Sequence, residues 1–151
     1  MTDAETVLEE AERLAGKVRL EDIIFFETSA KRQEPESTVA HDLPVATEIP
    51  IQVKIGQSEG LDRLLIRMIA EVASTQATFR VDVGAQFVLS EALEPSPEVQ
   101  VAFASQSAMA ILMPYLRESL MTMASRMRVP PPLLPLVQLR HLKAESVTIA
   151  E

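Results

Sequence analysis

Residues 51 to 89 constrain the fold most, because apolar and polar side chains alternate through most of that stretch. Ile51, Val53 and Ile55 alternate with Gln52 and Lys54, ending near Gly56 and Gly60. Leu64, Ile66, Met68, Ala70 and Val72 alternate with Arg63, Leu65, Arg67, Ile69 and Glu71. Phe79, Val81, Val83, Ala85, Phe87 and Leu89 alternate with Thr78, Arg80, Asp82, Gly84 and Gln86. Successive side chains of a strand point to opposite faces, so this period of two predicts three strands with one apolar face. The polar positions favour an antiparallel sheet half exposed to water. Leu61 to Ser74 also suits a helix by residue preference, since Leu, Met and Ala are good helix formers. Its neighbours need a partner strand, so the reading is strand.

A further strand is predicted from Val18 to Thr28, where Val18, Leu20, Ile24 and Phe26 alternate with Arg19, Glu21 and Phe25. Between Lys31 and Pro50 no period holds. Pro35, Pro44 and Pro50 mark a long crossing segment that also carries Val39, Leu43, Val45 and Ile49. Long irregular loops in compact domains are often functional.

A sheet with one apolar face needs a cover. Pro95-Ser-Pro-Glu98 starts one, with Ser96 as helix N-cap, Pro97 in the first helical position and Glu98 favoured by the helix dipole. Val99 to Leu112 continues in an imperfect helical pattern. Pro114 lacks an N–H and restricts the residue before it, so it is expected to open a second helix. Beyond it, Leu116, Leu120, Met123 and Met127 form an apolar stripe, and Tyr115, Glu118, Thr122 and Ser125 line a mildly polar face. Residues 2 to 15 read as a short amphipathic helix with Thr2 and Glu5 as a capping box, Val7, Leu8, Ala11 and Leu14 on one face, and Gly16 closing it. The run from Val129 to Leu139, with Pro130, Pro131, Pro132 and Pro135, is an extended connector. Leu136 to Leu142 fits a last short helix, and the tail to Glu151 shows no pattern.

Composition narrows the function. With 151 residues and 47% hydrophobic content, one domain with a sizeable core is expected. The absence of cysteine excludes disulfides, thiolate metal sites and cysteine nucleophiles. Residues 2 to 15 hold five carboxylates, unlike a secretory leader, and no apolar run approaches the roughly 18 residues of a membrane span. The expected location is the cytoplasm. A net charge of −8 disfavours nucleic acid and anionic membranes. The C-terminal region, with Arg126, Arg128, Arg140, His141 and Lys143, is locally basic. His41 and His141 stand 100 residues apart without metal-ligand spacing, and the four glycines form no phosphate loop. Nothing implies a catalytic site, a metal or a cofactor.

From Ile111 through Leu139 the sequence resembles the SecB family of export chaperones. The matching residues are Ile111, Leu112, Pro114, Tyr115, Arg117, Glu118, Met123, Ser125, Arg126, Pro130, Leu134 and Val137. Upstream, Gly84 and Phe87 suit the family's fourth strand, and Asp22 and Phe25 its first. The resemblance spans about residues 18 to 140. Residues 1–17 then form an N-terminal extension, 18–142 the SecB-like domain and 143–151 a tail.

The resemblance implies an α+β subunit: a four-stranded antiparallel sheet with C-terminal helices on one face. Such subunits pair through their first strands, and the dimers stack through the main helix into a homotetramer. The implied activity is ATP-independent holding of non-native polypeptides in hydrophobic grooves. Carried over, the client-binding residues are Val39, Leu43, Val45, Ile51, Phe79, Tyr115, Leu134, Val137 and Leu142. The subunit interface takes Tyr115, Glu118, Thr122 and Ser125. Family members engage the SecA motor through acidic residues on the outer sheet face. Here Arg80 takes one such position and Phe26 disturbs another beside Glu27. That departure counts against motor docking more than against client binding, and a dedicated client, such as an antitoxin, stands as the alternative to export. A small apolar ligand is the remaining alternative.

Overall fold

The computed structural model describes residues 3–33, 51–132 and 147–149. Its elements are α1 (Asp3–Lys17), β1 (Val18–Arg32), β2 (Ile51–Gln57), β3 (Arg63–Ala73) and β4 (Ala77–Leu89). A long helix follows in three parts: α2 (Pro97–Phe103), a π-helical turn (Ala104–Ala108) and α3 (Met109–Met127). A short strand, β5 (Val147–Ile149), comes last.

The strand order is β1-β4-β3-β2-β5. The first four form the expected antiparallel sheet, and β5 adds a parallel fifth strand to β2. Residues Leu61 to Ser74 resolve in favour of strand. Every alternate residue of β3 from Leu64 to Val72, and of β4 from Ala77 to Leu89, is buried in the core. The core lies between this face and the long helix, with Leu112, Leu116, Leu120 and Ala124 fully covered and Phe103 edge-on to Phe87 at 5.2 Å.

The single alternation expected of β1 fails. Its register against β4 shifts between Leu20 and Asp22 and again between Phe25 and Glu27. Each irregularity inserts a residue and exchanges the faces beyond it. Leu20, Ile23 and Phe25 therefore stand opposite Phe87, Ala85 and Val83 on the helix side. Phe26 goes to the outer face, against Arg67 and Gly84.

The helix start is as expected: the Val99 N–H donates to Ser96 Oγ at 3.3 Å, with Pro97 in the first turn. Pro114 corrects the expectation, because it lies inside α3 instead of opening it. Proline there deprives the Ala110 carbonyl of its helical partner. Ala110 and Pro114 are both exposed, so water can serve that carbonyl, while buried Leu112, Met113, Leu116 and Leu120 hold the helix straight through. The irregular turn falls upstream, at Ala104–Ala108, where no proline stands. At the other end Arg128 adopts φ 55, and Val129 folds back buried with its N–H on the Ala124 carbonyl at 3.0 Å. This closure satisfies the last carbonyls without glycine.

α1 packs on α2, burying Ala11 and Leu14, while Leu8 stays 45% exposed; its apolar face is narrower than expected. Gly16 does not end it, and the helix runs to Lys17 directly into β1. Thr2, the crossing segment from 34 to 50, and the expected helix over 136–142 lie outside the described residues. The helix Pro97–Met127 is long and apolar enough to cross a membrane by length and composition alone, although no run of the sequence looked sufficient. Half of its apolar window is buried within the fold, where it serves as the core helix.

Leu120→Ala should lower stability by about 2–5 kcal/mol, the range for a truncated core leucine. Pro114→Ala, which restores an N–H at an exposed turn, should raise the unfolding midpoint. Denaturant titration followed by circular dichroism measures both.

Candidate functional site

Three surfaces follow from this architecture. The first is the exposed face of α3. Tyr115, Glu118, Thr122 and Ser125 are all exposed on it, and Thr122 Oγ1 donates to Glu118 Oε1 at 2.8 Å. Met121, 58% exposed, shares this face and was missed by the sequence reading. Its spacing of three from Glu118 was the available signal.

The second surface is where β1 meets α3. Phe25 and Tyr115 pack edge to face with ring centres 6.4 Å apart, yet remain 42% and 40% exposed. Leu20, also exposed, is on the same side of β1. The aromatic pair joins the α3 face to an edge strand of fifteen residues that pairs with β4 on one side. Edge strands offer a row of backbone donors and acceptors to another chain.

The third surface is the outer sheet face, where charges are paired. Arg63 Nε lies 3.2 Å from Glu21, and Arg80 Nε lies 3.2 Å from Glu27 while also pairing with Glu71. Arg67 donates from Nε to Asp82 at 3.1 Å and closes a second bond from its terminal nitrogen. Its guanidinium also stacks 4.1 Å over the Phe26 ring. Asp82 is only 4% exposed, and its hydrogen bonds raise the Arg67 pKa further. Gly84 makes this layer possible. A Cβ there would lie 3.0 Å from Phe26 and 3.1 Å from both Arg67 and Leu65. The Gln86 amide, then Arg63, lowers the Glu21 pKa below the usual carboxylate range. Glu21's contribution is thus present at neutral pH and fades as acid protonates it. Glu27, the acidic residue beside Phe26, is held by Arg80 and does not stand as a free negative charge.

The expected client-binding set divides. Tyr115 lies at the β1 border, and Ile51 is half-buried at the start of β2, at the opposite end of the antiparallel order. Phe79 is 3% exposed and belongs to the buried core cluster. Val39, Leu43, Val45, Leu134, Val137 and Leu142 lie outside the described residues. Among the described residues no group of His, Asp or Glu is placed to hold a metal.

No protein-family model matches the sequence, and no curated protein matches it. Solved structures do. A Mycobacterium tuberculosis SecB-like chaperone, in complex with a peptide from an antitoxin, superposes with a TM-score of 0.71. The match covers 87% of this chain and 99% of that one at 19% identity. A Streptococcus agalactiae protein of unknown function overlaps more loosely, with a TM-score of 0.45 at 9% identity over 80% of this chain and 98% of the other. The fold is therefore α+β, a four-stranded antiparallel sheet covered on one face by a C-terminal helix. This chain has the SecB-like fold, in a form divergent in sequence.

Arg67→Met would strand a buried carboxylate and remove the stack on Phe26. It should cost on the order of 2–4 kcal/mol, while the double variant Arg67→Met/Asp82→Asn should recover most of the loss. Urea unfolding of the single and double variants measures the coupling.

Proposed function

We propose that this chain is an ATP-independent holding chaperone of the cytoplasm, which assembles as a dimer of dimers and binds non-native polypeptide without catalysis. The observation that carries this reading is the fold match along nearly the whole length of a SecB-like chaperone. The exposed apolar residues support it: Phe25, Tyr115, Leu20 and Met121 lie on or beside faces that a second copy or a client would cover. In the proposed assembly, β1 edges pair within a dimer. The α3 faces, through Tyr115, Glu118, Thr122 and Ser125, stack dimer on dimer. Many weak apolar contacts spread over four subunits would then sum to useful affinity for diverse clients.

Between export and a dedicated client, two observations favour the dedicated client. The structural neighbour was captured with an antitoxin peptide. The outer face here has Glu21, Asp82, Glu27 and Glu71 tied to Arg63, Arg67 and Arg80, which leaves Asp22, opposite Gln86, as its exposed acidic residue outside these ion pairs.

At stoichiometric amounts the protein should slow aggregation of a chemically unfolded client, read by light scattering; no effect at several-fold excess would sink the holdase reading. Thr122→Asp should break the tetramer into dimers by native mass measurement, with the unfolding curve of the subunit little changed.

A further inference from the structure

The antiparallel sheet would end at β2, and the chain's own β5 covers that edge. Val147 stands opposite Val53, Thr148 opposite Lys54 and Ile149 opposite Ile55, in parallel. This strand was not anticipated from the sequence, and it has no part in the assembly described above. We propose that the β2 edge is a docking strip for an extended segment of client polypeptide, and that β5 is its resident, displaceable occupant. The proposal rests on the holdase reading and adds to it a place and a competitor.

Three features of the edge carry the argument. First, β2 does not need β5. All seven residues from Ile51 to Gln57 pair with β3, and Val53 and Ile55 belong to the buried core cluster. The strip is thus rigid before anything is added to it, as a template for strand addition must be. Second, β5 is a weak occupant. It matches three of the seven β2 residues, in the parallel sense, which gives slightly less stability per residue than antiparallel pairing. Three residues pairing on a preformed edge gain only a slight surplus over the cost of ordering them, on the order of 1 kcal/mol. Third, β5 has the chemistry of an unfolded client. Val-Thr-Ile is β-branched throughout, lacks proline, and pairs through backbone groups that any extended chain carries.

The partner is therefore an extended, proline-free segment rich in β-branched residues. The tail sets a threshold: a client must outcompete an occupant tethered in the same molecule. If the tail fills the strip about nine-tenths of the time, apparent client affinity falls about tenfold.

The test uses the full chain and two variants, Thr148→Pro and Val147→Gly/Ile149→Gly, both of which weaken β5 without touching the antiparallel sheet. A fluorescent peptide of residues 144–151 and a reduced, carboxymethylated polypeptide serve as probes. Both should bind the variants about tenfold more tightly than the unsubstituted chain. Amide exchange at Val53 to Ile55 should quicken in the variants and slow again with peptide bound. Equal peptide affinity for all three proteins, or none for any, overturns the proposal. A polypeptide that binds all three equally and is not displaced by the peptide also overturns it, leaving the holdase reading intact. A peptide that behaves as expected while no protein binds the polypeptide overturns the holdase reading and leaves the edge a peptide site.

Discussion

Everything in this protein depends on one contact: the apolar face of β3 and β4 against the long helix from Pro97 to Met127. Neither partner can stand alone. The sheet presents alternating large aliphatic and aromatic side chains from Leu64 to Leu89, and water must be kept from them. The helix carries a proline in its interior and a π-helical turn, both unfavourable in isolation, and its course is set by the buried row Leu112, Leu116, Leu120 and Ala124. Burial of that row outweighs the local cost of Pro114, whose exposed turn lets water serve the freed carbonyl.

The same contact distributes the surfaces. Committing one helix stripe to the sheet leaves the opposite stripe, with Tyr115, Glu118, Met121, Thr122 and Ser125, facing outward. Committing one sheet face to the helix leaves the other to charge pairing, where each arginine of Arg63, Arg67 and Arg80 is tied to an acidic neighbour. Both ends of the antiparallel order are left open to addition. β1 is long and carries Phe25 beside Tyr115; β2 is short and already takes a strand from the chain's own tail. The proposed holding role would need no reacting centre, only adaptable surface arranged around a rigid frame.

Much of the frame was legible in the sequence, and the failures have identifiable causes. Period two named three of the strands because their pairing is regular; it placed β1 as well but not its faces, because two register shifts exchange them mid-strand. Residue chemistry located the helix start at Ser96, where capping is local. It misjudged Pro114, where tertiary burial outweighs a local preference. Phe79 came to the client-binding set through the resemblance, and an apolar side chain in a strand fits either a groove or a core; in the fold it is buried with the core cluster. Met121 was hidden among apolar neighbours on a helix whose covered side could be fixed only by the sheet.

What the sequence determined alone is therefore the four antiparallel strands, the helical stretches that flank them and the SecB-like order in which they come. Local rules of alternation, capping and turn chemistry act within a few residues and can be read along the chain. Only the tertiary structure decided which faces are spent and which remain. The stacking of Arg67 on Phe26, the room left for it by Gly84, and the return of Val147–Ile149 to β2 each join residues far apart in sequence. Long-range pairs of that kind are chosen by packing and backbone pairing between elements, and a local pattern carries no record of them.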